Sequence, residues 1–476
     1  MGGLAVSLVI ENRKMYRFCA LTIHRSGIIM KSKTAKARFF YMTTVRVNFD
    51  KVTGKIKPMH AVNNGPTKGP RMFPLSGNFD AYREAGIPFA RNHDAAFCAS
   101  YGGEHTVDIN AIFPNFDADP YDPASYDFAC TDEYSRTIME AGAEVFYRLG
   151  NKIDHRVKKY DSIPPKDYGK WAVICEHIIR HYNYGWADGF EWNIRYWEIW
   201  NEPENGRECW DAPFEDFLPL FEITAKHLKA LFPELKIGGP AFATGGVDKK
   251  TELFLGYMRE HNVPLDFFSW HTYRSETDQY TKRILRVREQ LDAFGYTETE
   301  SILNEWNYII NWKDGLLASK KAILGMKGTA FVSAVMAQGQ RYPLDMLMYY
   351  DASMNSTING LFNFYTSEKM KGYYPFWMFS KLYRLGTAVE CAADSEDIYV
   401  VAATDGNAKA VMLTYFTNDP EAQPREVTIQ PEGAPAKFGC LLLDDTHDAE
   451  AVESIKVANG IGKVTVRPNS VLLLQA

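Results

Sequence analysis

YWEIWNEP, residues 196–203, is a short apolar strand that stops in an amide, an acid and a proline. Proline has no N–H for a ladder, so it ends the strand and sets the geometry of the loop that follows. Upstream, residues 170–183 mix Ile, Ala and charges at helical spacing behind a strand at 143–150. Downstream, residues 214–232 place apolar side chains at i, i+3, i+4 and i+7, and a strand follows at 236–243. The alternation extends in both directions. Further strands are predicted at 58–64, 89–94, 266–273, 301–308 and 346–353, and residues 279–294 form another amphipathic helix. Eight strands with helices between them predict an α/β protein, a (β/α)8 TIM barrel spanning 57–385. The second unit is the least regular: residues 95–129 are rich in Gly, Pro, Asp and Asn and read as a long loop.

Past residue 385 the rhythm changes to strands and turns. DIYVVAATDGNAKAVMLTYF, residues 397–416, is two strands joined at Asp-Gly-Asn; REVTIQ, FGCLLLD, KVTVR and SVLLLQA follow. This predicts a small C-terminal antiparallel β-sandwich over 386–476, with an N-terminal strand in 42–56 pairing into it. Residues 1–41 carry eight Lys/Arg against one acid, Glu11. They read as a disordered leader or a mis-assigned start, with Met42 as the alternative start and a targeting leader as the other reading. The apolar run at 4–10 is too short for a secretory signal and has no basic residue before it.

Composition narrows the function classes. The chain has 476 residues, 46% hydrophobic and 24% charged, with a net charge of −6. That excludes a disordered or fibrous protein, and it supplies no basic field for nucleic acid. No apolar run approaches the ~20 residues of a membrane span. Seven cysteines without a CxxC pair point to reduced thiols and a cytoplasmic location. An aromatic share of 14% suits a large core and a cleft for flat ligands.

In a barrel of this kind the chemistry lies at the C-terminal strand ends. Those ends carry Asn64, then Arg91 and His93, then Arg148, then Asn201 and Glu202. His271 and Tyr273 end the sixth strand; Asn304, Glu305 and Asn307 end the seventh; Tyr349, Tyr350 and Asp351 end the eighth. Glu202 and Glu305 therefore face each other across one mouth. Two facing carboxylates suit glycosidic-bond cleavage, one as proton donor and the other as nucleophile. Arg91, His93, Asn64, Asn201, His271 and Tyr273 are the predicted polar substrate contacts. Trp306 and Trp377 are predicted to stack on sugar rings, although such tryptophans are as often core. Glu198 shares the pleat face of Glu202 and is predicted to be a buried acid paired with a polar neighbour. A lone His93–Asp94 is a weak metal signal, and no metal or cofactor is expected.

At these residues the sequence resembles a known family. YWEIWNEPE followed by ILNEWN, together with GKIKPMHAVNNGP, FARNHD and WHTY, is similar to clan A glycosidases and most to glycoside hydrolase family 39. The resemblance covers residues 43–476. It implies a retaining glycosidase, with Glu202 as acid/base, Glu305 as nucleophile, Asn201 as partner of the sugar 2-hydroxyl and Tyr273 positioning the nucleophile. It implies β-xylosidase activity on an oligosaccharide or glycoside. The alternatives are α-L-arabinopyranosidase, β-galactosidase, β-glucosidase or α-L-iduronidase activity, or a carbohydrate-binding pseudoenzyme. A homo-oligomer stays open.

Overall fold

The computed structural model describes residues 43–68, 77–93, 107–245, 248–354 and 356–476 in full. Within residues 1–42, a unit of its own, it describes the backbone of two hairpins, Ile10–Asn12 with Met15–Arg17 and Cys19–His24 with Gly27–Ser32. These strands are three to six residues long, too short to announce themselves by hydrophobic alternation. Most of the proposed leader, together with Asp94, lies outside the described residues. Thr43–Ala476 forms one compact unit. A chain begun at Met42 is expected to fold and to keep full turnover. Loss of either, followed by circular dichroism and activity, would show that the first 41 residues are needed.

Eight parallel strands close into a barrel in chain order: Ala61–Asn63, Phe89–Arg91, Glu144–Leu149, Tyr196–Ile199, Lys236–Phe242, Phe267–Arg274, Glu300–Tyr308 and Met346–Tyr349. Successive residues of a strand face opposite ways, so each strand sends every second side chain into the lumen. The lower layer is apolar: Ala61, Phe89, Phe146, Tyr196, Phe267, Ile302, Met346 and Met348 pack as a separate cluster. Two residues further along the same strands come Asn63, Arg91, Arg148, Glu198 and Asn304, all fully buried. The barrel thus has a dry floor with a polar layer directly above it.

The remaining strands form one continuous nine-stranded sheet, antiparallel throughout except at one pairing. Thr43–Lys55 runs antiparallel to Thr387–Ala393 and parallel to Arg425–Glu432, joining the two halves. This sheet has its own core, which includes Val45, Val47, Val411, Leu413, Ile429 and Leu474. Among the described residues no helix is long and apolar enough to cross a membrane, and Cys175, Cys209, Cys391 and Cys440 are free thiols.

Candidate active site

The Trp200–Glu202 turn leaves the fourth strand through an unusual backbone path. Trp200 and Glu202 both have positive φ, 73° and 50°, a conformation that costs energy for a residue with a Cβ. Neighbouring strands hold it: Trp200 N–H donates to Leu149 O at 2.7 Å and Glu202 N–H to Ala241 O at 3.1 Å. Gly239, at φ 136°, lets the fifth strand come close enough that a Cβ there would sit 2.7 Å from Ile199 O. The turn aims Glu202 over the mouth.

The seventh strand reaches the same place by a different device. Leu303 pairs with Trp270 and Glu305 with His271, so Asn304 is an extra residue in a bulge. A bulge re-aims side chains that strict alternation would send apart. Asn304 and Glu305, adjacent in sequence, therefore both serve the lumen. Asn304 Nδ2 donates to Glu198 Oε1 at 2.6 Å, and Glu305 accepts from Arg91 and Tyr273.

Arg91 organises the polar layer. Its Nε donates to Glu198 Oε2 at 2.6 Å, Nη1 to Glu305 Oε1 at 2.8 Å and to Asn63 Oδ1 at 3.1 Å, and Nη2 to Asn201 Oδ1 at 2.7 Å. Burial alone would lower this guanidinium's pKa, but the Glu198 and Glu305 carboxylates hold it up. Glu198 is fully buried with both oxygens paired. Arg91→Met strands Glu198 without its cation and should cost about 3–5 kcal/mol, read from urea midpoints.

His271 stands between the two carboxylates. Its Nδ1 lies 2.6 Å from Glu202 Oε1 and 3.4 Å from Glu305 Oε2. One atom each of Glu202, His271 and Glu305 lie within 4.8 Å of one another. The donor set superficially suits a cation, but the Arg91 guanidinium 2.8 Å from Glu305 already supplies the positive charge, so a metal fits poorly here. Tyr273 Oη donates to Glu305 Oε2 at 2.8 Å. Burial and the Glu305 charge push its pKa well up, so it stays a phenol and a donor. His93 Nδ1 accepts from Arg148 Nε at 3.3 Å, and its Nε2 lies 3.7 Å from Glu305 Oε1. Arg148 is held in turn by Asp108 at 2.6 Å.

Two predicted contacts, Trp306 and Trp377, lie elsewhere. Trp306 alternates with Glu305, so it points outward into the core and is fully buried against Tyr280, Phe331 and Tyr349. Trp377 sits on the helix Tyr374–Leu385, which packs against the helix Phe79–Ala85 and the accessory sheet, with Lys381 Nζ 4.3 Å from its ring. Asn64 contacts Arg91 O through its N–H and the Tyr82 hydroxyl through its carbonyl. Sequence reasoning missed three neighbours of the site. Asn205 Nδ2 donates to Glu202 Oε2 at 2.8 Å. Glu204 is buried beside it. Trp312, 53% exposed, stands edge-on to Tyr273 at 4.9 Å. The first two directly follow Asn201-Glu202-Pro203, a signal the sequence does carry; Trp312 carries none.

Residues 107–304 match the model of glycosyl hydrolases family 39. This part of the barrel is similar to that family. The matched span runs from before the third strand into the seventh and contains Glu202. A β-xylosidase of Geobacillus stearothermophilus is 37% identical over 145 residues, 30% of this chain and 26% of that protein. A β-xylosidase of Caldicellulosiruptor saccharolyticus is 28% identical over 180 residues, 36% of this chain and 35% of its own length. The chain thus matches about a quarter to a third of the length of these relatives. A glucosidase from Croceicoccus marinus shares the fold with a TM-score of 0.75 at 21% identity, over 92% of this chain and 99% of that one.

Proposed function

We propose that this chain is a retaining glycoside hydrolase acting on a terminal sugar, with β-xylosidase as the activity. The observation that carries the reading is the approach of Glu202 and Glu305 to within 4.8 Å across the mouth, in unlike surroundings. Retaining enzymes hold their carboxyl groups about 5–5.5 Å apart, whereas inverting ones leave roughly 6.5–9.5 Å for a water. Glu305 is the nucleophile: Arg91 and Tyr273 each donate to it, which keeps it ionised and aimed. Glu202 is the acid/base. It protonates the leaving oxygen while a Glu305 oxygen bonds the anomeric carbon; it then takes a proton from the water that breaks that ester. Asn201 Oδ1 is held by Arg91 and its buried Nδ2 has no partner among the described residues, which suits a hydrogen bond to the sugar 2-hydroxyl. His271 bridges the two carboxylates, and His93 and Trp312 suit the rim of the sugar pocket.

The relatives named β-xylosidase support xylose as the glycone. A panel of nitrophenyl glycosides tests it: hydrolysis of the β-xyloside should exceed that of the β-galactoside, β-glucoside, α-L-arabinopyranoside and α-L-iduronide. Turnover of none would favour a sugar-binding protein instead. Free thiols are compatible with a reducing compartment, and the partner is a glycoside.

A further inference from the structure

Arg148 ends the third strand, and the proposed mechanism gives it no task. Its guanidinium is fully buried in the polar layer. Nη2 donates to Asp108 Oδ1 at 2.6 Å and Nε to His93 Nδ1 at 3.3 Å; Nη1 makes no hydrogen bond among the described residues. The backbone fixes both neighbours. Arg148 N–H donates to Asn92 Oδ1 at 2.9 Å, which ties the end of the third strand to the residue before His93. Ile109 N–H donates to Gly150 O at 3.0 Å, which holds Asp108 beside the same strand. Asp108, Arg148 and His93 thus form a chain of buried side chains that ends 3.7 Å from Glu305, between His93 Nε2 and Glu305 Oε1.

A guanidinium can only donate. The nitrogen that faces Arg148 Nε must therefore offer its lone pair, so His93 Nδ1 carries no proton. The proton of the neutral ring then sits on Nε2, the nitrogen turned toward Glu305. Among the described residues, Arg148 from the third strand and Glu305 from the seventh are the charged groups within 4 Å of the ring nitrogens. Asp108 is paired with the first of them and Arg91 with the second. Each charge has its own partner, so the blocked Nδ1, rather than net charge, decides the state of the ring. The neutral form matters because Glu305 already accepts from Arg91 and Tyr273. A further cation beside it would draw on the lone pair that must attack. It would also repel the positive charge that develops on the sugar.

We propose that Arg148 is a positioning residue: with Asp108 behind it, it fixes His93 as a neutral imidazole whose Nε2–H faces Glu305. The role rests on Glu305 being the nucleophile.

Nitrogen-15 NMR of the histidine-labelled full chain reads the ring directly, with the His93 signals identified by their loss in His93→Gln. At pH 6 Nδ1 should be unprotonated and Nε2 should carry the only proton. A proton on Nδ1, alone or as part of a cationic ring, would overturn the proposal. The second reading is kinetic. Arg148→Met combined with Asp108→Asn removes the donor without leaving a buried carboxylate stripped of its cation. His93 can then take a second proton as pH falls through about 6.5, the ordinary value for an imidazole. On the nitrophenyl glycoside that the panel selects, kcat/KM of this double variant relative to the unaltered chain should therefore drop about tenfold from pH 8 to pH 5.5, where only about one ring in ten stays neutral. A ratio that does not change with pH would overturn the proposal, since a variant that had merely lost packing would be weakened equally at both. The NMR reading stands whether or not the double variant folds. Undiminished turnover by Glu305→Ala would instead sink the nucleophile reading, and with it the role of Arg148, whatever the state of the ring.

Discussion

Glu305→Ala is expected to lose turnover on every glycoside, by about 10⁴-fold or more, because the group that forms the covalent intermediate is gone. The loss should not depend on the leaving group. Nitrophenyl and alkyl glycosides should fall together, since neither can form the ester with the enzyme. The space left between Arg91 and Tyr273, both of which donate to Glu305, admits a small anion. Added azide should enter it and attack the anomeric carbon directly while Glu202 still protonates the leaving group. The product is then a glycosyl azide of inverted configuration. Proton NMR of that product decides the matter, and a retained azide would mean that Glu305 is not the nucleophile.

Glu202→Ala should divide substrates by their leaving groups. General acid catalysis contributes about 10²–10⁴-fold, and an alkyl leaving group needs all of it. A nitrophenolate leaves almost unaided, so its first step should be slowed far less. The second step still needs a base toward water, so the glycosyl-enzyme should accumulate, seen as a burst of nitrophenolate. Azide needs no base and should release the enzyme as a glycosyl azide of retained configuration. An inverted product here, or equal losses on both substrate classes, would show that the two carboxylates have exchanged roles.

Both experiments turn on residues that the sequence already singles out. Eight apolar strands alternating with amphipathic helices leave a closed parallel barrel as the economical packing, because each helix needs a sheet face to cover. Pleat alternation then places Tyr196 in the floor and Glu198 in the layer above it, so the buried acid could be anticipated from spacing alone. Asn201-Glu202-Pro203 at a strand end and Glu305 at another were legible for the same reason.

Alternation was also where the sequence misled. Trp306 and Glu305 are neighbours, and both were expected at the mouth; only one of them can face it. The bulge at Asn304 decides which, by spending one extra residue before Glu305. A bulge is a property of two paired strands, and it leaves no mark in the periodicity of either one. Burial decided the rest. Arg91 links Glu198, Asn201 and Glu305, residues up to 214 positions away in sequence. Glu204 is buried at the mouth, where Thr244 N–H, just past the fifth strand, donates to its Oε1. The sequence by itself determined the barrel, the accessory sheet and the two facing acids, because local patterning and strand ends encode them. Which side chains line the site, and the charge each carries, was decided by tertiary structure, because desolvation and Coulomb coupling depend on distances that only the closed barrel sets.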